Sequence, residues 1–334
     1  MHILLTGGSG FIGSNFVRMI LADTDHRITN LDALTYSGNP ANLADLEGDA
    51  RYTFVHGSIN DAELADRLIR EVDAVVHMAA ESHVDRSILD ARPFVETNVL
   101  GTQTLLDAFR RDPEHERKVF VHVSTDEVFG DLPLDRPELL FDEQTPLNPN
   151  SPYAASKASS DLLAQAYHHT FGLDVRITNC SNNFGPYQFP EKVIPLFVTH
   201  LIDGRKVPLY GDGKNVRDWL HVADHCEAVL AVLERGNAGR RYCIGGRNER
   251  SNCELTHSIL GAMGMDESYI QPVADRLGHD RRYAIDGTRI QDELGWSPKR
   301  SAWPEALEAT VAWYRAHDDW WRPLKEQAEA VAAG

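Results

Sequence analysis

The chain has 334 residues, 42% of them hydrophobic and 25% charged, which leaves room for a full α/β core and a smaller second unit. Its 50 acidic against 33 basic side chains give a formal net charge of -17, which excludes the basic surface that nucleic acid or an anionic membrane requires. An anionic substrate must therefore meet a local basic cluster, because long-range attraction works against it.

No apolar run is long enough to span a bilayer, and Met1-His2-Ile3-Leu4-Leu5 leads directly into a strand without a signal-peptide pattern. This reads as a cytoplasmic start. Cys180, Cys226, Cys243 and Cys253 are scattered, without zinc or redox spacing, and read as buried reduced thiols; no metal is expected. There is no internal repeat and no low-complexity segment.

The first strand, near Ile3–Thr6, ends in Thr6-Gly7-Gly8-Ser9-Gly10-Phe11-Ile12-Gly13, which opens a helix running through Asn15–Leu21. Glycines at 7, 10 and 13 let a turn close tightly and bring backbone N–H groups and a helix N-terminus up to a pyrophosphate. The spacing is Gly-x-x-Gly-x-x-Gly rather than the standard Gly-x-Gly-x-x-Gly, but the context supplies the rest. Asp32 closes the second strand, Arg27–Asp32, roughly 20 residues on, where an acid is expected for the ribose hydroxyls. Its carboxylate repels a 2′-phosphate, which favours NAD over NADP.

Further strands are expected near Tyr52–His56, Ala74–Ala79, Val119–Ser124 and Val175–Asn179, with helices clearest over Phe94–Phe109 and Tyr153–Phe171. The βαβα order and the continuous apolar runs point to a Rossmann-type, doubly wound parallel sheet. The run from Val119 to Val123 ends in Ser124-Thr125-Asp126-Glu127, a hydroxyl pair followed by two adjacent carboxylates. Ligands of such sheets sit beyond the carboxyl ends of the strands, so the two acids can act as acid and base on one molecule. Alternatively they open a loop or cap the next turn.

Asn150-Ser151-Pro152-Tyr153 starts a helix with Ser151 as N-cap and Pro152 at its first position. Tyr153 and Lys157 are four apart and share a face. A phenol becomes a base near neutral pH only if its anion is stabilised, and a nearby ammonium with the charge of an oxidised nicotinamide would do this. By itself the pair also fits a helix face with one aromatic and one solvated charge.

From about Asn182 the texture changes. Pro186, Pro190, Pro195 and Pro208 interrupt the pattern, and Gly211-Asp212-Gly213-Lys214 looks like a hairpin turn. Trp296, Trp303, Trp313, Trp320 and Trp321 are expected to pack a terminal helix. The chain is thus read as a dinucleotide-binding domain over residues 1–181 and a substrate-binding lobe over 182–334, interleaved with the end of the sheet.

Taken together, these motifs resemble the extended short-chain dehydrogenase/reductase superfamily acting on nucleotide sugars, and within it the dTDP-glucose 4,6-dehydratase family. The resemblance runs over nearly the whole chain. It is carried by Ala79-Ala80-Glu81-Ser82-His83-Val84-Asp85-Arg86-Ser87, Ser124 to Gly130, Ser151 to Lys157, Ser181 to Lys192 and Val216-Arg217-Asp218-Trp219. The adjacent acids are the specific part, since related epimerases share the glycine loop and the Tyr/Lys pair but lack both acids.

The resemblance implies a lyase with tightly held NAD and catalytic residues Thr125, Asp126, Glu127, Tyr153 and Lys157. Tyr153, aided by Thr125, would take the proton of the sugar 4-hydroxyl, Glu127 would remove the C5 hydrogen, and Asp126 would protonate the departing 6-hydroxyl. It implies cofactor contacts from Gly7, Gly10, Phe11, Ile12, Gly13, Asp32, Ala33, Leu34, Thr35, Ser58, Ile59, Ala79, Ala80, Ser82, Thr97 and Asn182, besides Tyr153 and Lys157. Nucleotide-sugar contacts would come from Ser82, His83, Thr125, Asn182, Lys192, Val193, Pro208, Tyr210, Arg217, Asn252, Arg276 and His279, with Arg217 and Lys192 suited to the diphosphate. It also implies a homodimer.

Four positions depart from the family pattern. Ser58 stands where an Asp usually reaches the adenine, Asn179 where an Arg is common, Phe129 for a Tyr, and Leu277 for a Pro. A UDP- or CDP-sugar 4,6-dehydratase or epimerase, and a non-catalytic NAD-binding sensor or scaffold, are the alternatives.

Overall fold

The computed structural model describes residues 1–275 and 277–333, the last four of these by backbone alone. In chain order the strands are β1 (His2–Thr6), β2 (Arg27–Asp32), β3 (Tyr52–His56), β4 (Ala74–His77), β5 (Val119–Thr125), β6 (Val175–Cys180), β7 (Asn182–Phe184), β8 (Val207–Tyr210), β9 (Val216–His221), β10 (Arg241–Ile244), β11 (Glu249–Ser251) and β12 (Ile270–Val273). The helices are α1 (Phe11–Asp23), α2 (Ala62–Arg70), α3 (Val84–Leu89), α4 (Arg92–Phe94), α5 (Thr102–Arg111), α6 (Pro152–Phe171), α7 (Val193–Ile202), α8 (Val222–Arg235), α9 (Asn252–Met263), α10 (Thr288–Leu294), α11 (Glu305–Ala316) and α12 (Asp318–Ala333).

Seven strands form one parallel sheet in the order β10-β6-β5-β4-β1-β2-β3. Its two faces follow from the two-residue period of a strand. Ile3, Leu5, Val76, Val121 and Val123 point to one side, where Phe16, Val17 and Ile20 of α1 and Val229 of α8 cover them. Leu4, Val75 and Phe120 point to the other, against Leu68 of α2 and Leu105 and Phe109 of α5. Each such fully buried side chain contributes about 1.5–3 kcal/mol, so a slip of one residue in any central strand would expose an apolar row on both faces.

Strand β10 comes from the second half of the chain and adds to the sheet beside β6, while α8 and α10 pack onto its α1 side. The chain therefore recrosses the position-181 division. A separate core gathers Phe184, Phe197, Trp219, Leu255, Leu307 and Trp321 around α7, α9 and α11. Two small sheets, β11-β9-β7 and β12-β8, border it.

Several local expectations are corrected. Residues 211–214 do not form a hairpin: β8 pairs with β12 and β9 with β7 and β11, so the turn passes between two sheets. Trp296 packs in the core of the large sheet rather than on a terminal helix. Cys253 is half-buried, unlike the other three cysteines.

The helix read over Phe94–Phe109 is broken by a π-helical stretch, Val95–Gly101. Asn98, buried there, donates to the Glu81 carbonyl at 2.9 Å and to Ser156 Oγ at 2.8 Å and accepts from the Glu81 N–H at 2.9 Å. The widened turn thus ties the segment after β4 to α6. A wide turn at a functional rim is where such helices recur.

Candidate active site

Parallel pairing brings the carboxyl ends of β1 to β6 to one rim, and the sequence-predicted residues follow them there. The glycine loop leaves β1, Asp32 to Thr35 leave β2, Ser58 and Ile59 leave β3, Ala79 and Ala80 leave β4, Thr125 to Glu127 leave β5, and Asn182 follows β6.

Close approach of backbone to backbone explains the loop's composition. A Cβ on Gly7, whose φ is +75°, would lie 2.7 Å from the Ala79 backbone, and one on Gly13 would lie 2.2 Å from the Gly7 carbonyl oxygen. Gly8, which the spacing does not single out, is equally constrained, its Cβ falling 2.3 Å from Asn30 Oδ1. Gly10 differs: a Cβ there meets nothing closer than the Gly7 oxygen at 3.4 Å, so the missing side chain leaves space at the mouth of the loop.

Helix α1 starts at Gly10 without a side-chain cap and without an acid in its first turn, which leaves its N-terminal dipole directed at that space. Asp32 closes the ring, accepting from the Ser9 N–H at 2.9 Å and the Leu34 N–H at 2.8 Å. Burial pushes its carboxyl up, and those two N–H groups hold it down. The open mouth, the dipole and the acid at the end of β2 fit a dinucleotide. Ser58 Oγ accepts from the Asn60 N–H at 3.1 Å. Ile59 is buried, and its Cδ1 occupies the space a Cβ on Gly101 would need. Thr97 lies in the π-helical stretch, half-buried.

At the end of β5 the backbone turns through a short 3-10 helix, Asp126–Phe129. Thr125 caps it, its Oγ1 accepting from the Glu127 N–H at 3.3 Å and donating to Asp126 Oδ1 at 3.2 Å. The capping role considered for the acids thus falls to the Thr125 hydroxyl rather than to either carboxyl. Asp126 is 1% exposed and its Oδ2 has no hydrogen-bond partner. Burial, then the charge of Glu127, hold its carboxyl well above the usual carboxylate range, with Arg217 opposing. Both effects favour the protonated form of Asp126.

Tyr153 and Lys157 sit one turn apart on α6, which Ser151 caps by accepting from the Ala154 N–H at 3.1 Å. The Lys157 ammonium donates to the Val123 carbonyl at 2.8 Å. Burial lowers its pKa and the nearby Asp161 supports it. Tyr153 is pushed well above the ordinary phenol value by burial, then by Glu127, Cys180 and Asp126, while the Thr125 hydroxyl pulls the other way. The Lys157 ammonium, on the helix that carries the phenol, is held by the β5 backbone.

In front of these groups lies a cavity of about 240 Å³ lined by Glu127 together with Ser82, His83, Asn182, Lys192, Val193, Pro208, Tyr210, Arg217, Asn252 and His279. Tertiary structure thus gathers residues from seven separate chain segments that the resemblance had assigned to the sugar nucleotide. Thr125 lies just behind the lining, and Arg276 falls outside the described residues. Arg217 is 6% exposed, stacked with its guanidinium carbon 4.2 Å from the Tyr283 ring centroid and donating to the carbonyls of Val216 at 2.7 Å and Asp280 at 2.9 Å. Lys192 donates to the Ser82 carbonyl at 2.9 Å.

Two contributors were not legible in the sequence. Tyr283 supplies the aromatic face under Arg217. Glu191 binds Arg86 at 2.9 Å and approaches His83 at 3.6 Å, bracing the wall after β4 against the segment before α7. Glu191 could have been suspected from its place beside Lys192; Tyr283, in an irregular segment, carries no such signal.

A family profile described as GDP-mannose 4,6 dehydratase matches residues 4–304. The chain is 57% identical over 326 residues to a dTDP-glucose 4,6-dehydratase of Streptomyces griseus, covering 97% of each. It superposes with a TM-score of 0.92 and 54% identity on DesIV, a dTDP-glucose 4,6-dehydratase of Streptomyces venezuelae solved with NAD and TYD bound, over 97% of this chain and all of that one. A UDP-glucose 4-epimerase of Thermotoga maritima with UDP-glucose shares the fold at a TM-score of 0.84 but only 28% identity, over 95% of this chain and 99% of that one. With the acid pair at the end of β5 and identity of this order over its whole length, the chain belongs to the dTDP-glucose 4,6-dehydratase family.

Proposed function

We propose that this chain catalyses the NAD-dependent dehydration of dTDP-glucose to dTDP-4-keto-6-deoxyglucose, a step of deoxysugar biosynthesis. The observation that carries the reading is the contrast within the acid pair: Asp126 is buried, unpartnered on one oxygen and biased toward its protonated form, while Glu127 lines the cavity. Two adjacent carboxyls in different environments are what an elimination needs, one to give a proton and one to take it.

NAD would be held by the glycine loop, the α1 N-terminus and Asp32. When bound it supplies the acceptor for hydride from C4 and the later donor to C6, and its positive ring supplies the charge that lets the Tyr153 phenol give up its proton. Tyr153 then takes the proton of the 4-hydroxyl, with Thr125 beside it. Glu127 removes the C5 proton, which the 4-ketone has acidified, and returns a proton to C5 once C6 has received its hydride. Asp126 passes its proton to the 6-hydroxyl, so that water leaves. Lys157, one turn from Tyr153 on α6 and held by the Val123 carbonyl, would place its ammonium to favour the phenolate. Arg217 and Lys192 would face the diphosphate, and Asn252 and His279 the nucleoside end of the cavity.

Residues 1–181 would carry the dinucleotide and 182–334 the sugar nucleotide. The cytoplasm and a homodimer fit this reading. Among the described residues no helix is long and apolar enough to cross a membrane, and the outer helices present Val95, Leu100, Leu162 and Phe171 to solvent.

The test is isotopic. With dTDP-glucose deuterated at C4, the label is expected at C6 of the keto-deoxy product; label lost to solvent would overturn the reading, and a 4-epimer carrying the label at C4 would favour an epimerase.

A further inference from the structure

Behind the site, away from the cavity, a buried polar cluster connects four elements. Its centre is Arg241, the first residue of β10. Its Nη1 donates to Asp161 Oδ2 of α6 at 2.6 Å and to Asn179 Oδ1 of β6 at 2.5 Å. Asn179 uses its own amide N–H groups on the Thr125 carbonyl at 2.9 Å and on Asp161 Oδ2 at 3.0 Å. The guanidinium carbon also lies 5.8 Å from the ring centroid of Phe129. Thr125 and Phe129 are the two ends of the turn that presents Asp126 and Glu127. Asp161, for its part, is wholly buried and stands four and eight residues after Lys157 and Tyr153 on the same helix.

One guanidinium thus holds the tyrosine-bearing helix through Asp161, reaches the start of the acid-bearing turn through Asn179, and lies near the Phe129 ring at its end. A single Nη1 that donates to both a carboxylate and an amide oxygen, on a rigid planar guanidinium, fixes direction as well as distance. None of the hydrogen bonds reaches the cavity, so Arg241 has no part in binding. We propose that Arg241 is a positioning residue that sets the placement of Asp126 and Glu127 relative to Tyr153, and so governs the elimination of water more than the oxidation at C4. This rests on the dehydratase reading above.

The experiment compares wild type, Arg241→Met and Arg241→Lys as holoenzymes with dTDP-glucose. It follows nicotinamide reduction by absorbance, exchange of the C5 hydrogen with solvent, and formation of the keto product. In Arg241→Met, KM and the rate of nicotinamide reduction are expected to stay within about 3-fold of wild type. C5 exchange and product formation are expected to fall by about 10- to 100-fold, the scale of a misplaced catalytic group. Arg241→Lys, with charge but no rigid planar guanidinium, should lie between.

An unchanged ratio of elimination to oxidation in a folded variant overturns the assignment, as does an equal loss of both. Should the Met variant fail to fold, the same ratio in Arg241→Lys decides. A wild-type protein that neither reduces its nicotinamide nor exchanges C5 with dTDP-glucose overturns the functional reading itself, and with it this one.

Discussion

Asp126 and Glu127 are bonded neighbours that occupy opposite environments: the first is sealed behind Thr125 with one oxygen unpartnered, the second lines the cavity. Like charges this close cannot both ionise readily, and burial decides which of them keeps the proton. Asp126→Asn removes the proton to be donated while keeping shape. It is expected to slow formation of the keto product by about 100-fold or more, with nicotinamide reduction much less affected; stopped-flow absorbance with dTDP-glucose separates the two.

The same substitution has a signature in stability. Because the native carboxyl of Asp126 is raised above its ordinary value of about 4, folded protein retains a proton that unfolded protein releases as pH rises through that interval. Its contribution to stability therefore falls with rising pH up to the native value. Asn has no such loss. The difference in Tm between Asp126→Asn and wild type should grow in favour of the variant between acid and neutral pH, and a constant difference would sink the assignment of a buried neutral acid.

Glu127→Gln leaves the cavity wall in place but removes the base. Solvent exchange at C5 is expected to drop by about 100-fold or more while substrate still binds and reduces the nicotinamide. Mass spectrometry of substrate recovered from deuterated buffer reads this directly, and exchange at the wild-type rate would assign the base elsewhere.

Asp161 shows the opposite electrostatic case. Against the opposing effect of burial, Arg241 and His122 hold its carboxyl far below the ordinary range. Removing the charge strands the Arg241 guanidinium inside the protein, so Asp161→Leu is expected to cost about 3–5 kcal/mol. Denaturant unfolding measures it.

Gly13→Ala tests the dinucleotide loop. The added Cβ would press within 2.2 Å of the Gly7 carbonyl oxygen, so the turn must open. The purified variant should carry far less bound NAD than wild type, quantified by absorbance of the acid-released nucleotide. Gly261→Ala, within α9 where a Cβ meets nothing and the backbone is not left-handed, is the control.

The parallel sheet, the glycine loop, the acid after β2 and the Tyr/Lys helix were all legible in the chain because each is a local matter. Apolar runs, a capped helix and tight turns are written within about ten neighbouring residues. The Gly211–Lys214 turn was misread for the complementary reason. Hairpin composition says that the chain reverses, but the partner of β8 lies more than sixty residues downstream in β12, and only long-range pairing shows it.

By itself the sequence determined which groups are present and that the strand ends share one rim, since right-handed crossovers leave little choice of topology. Tertiary structure alone decided their states. Whether Asp126 is charged, where the Lys157 ammonium points, and which strand supplies the guanidinium behind Asn179 depend on burial and on contacts between residues far apart in the chain, such as Lys157 with Val123 and Arg241 with Asn179. Protonation follows desolvation and nearby charge, and both are properties of the packed interior, where no stretch of chain carries them alone.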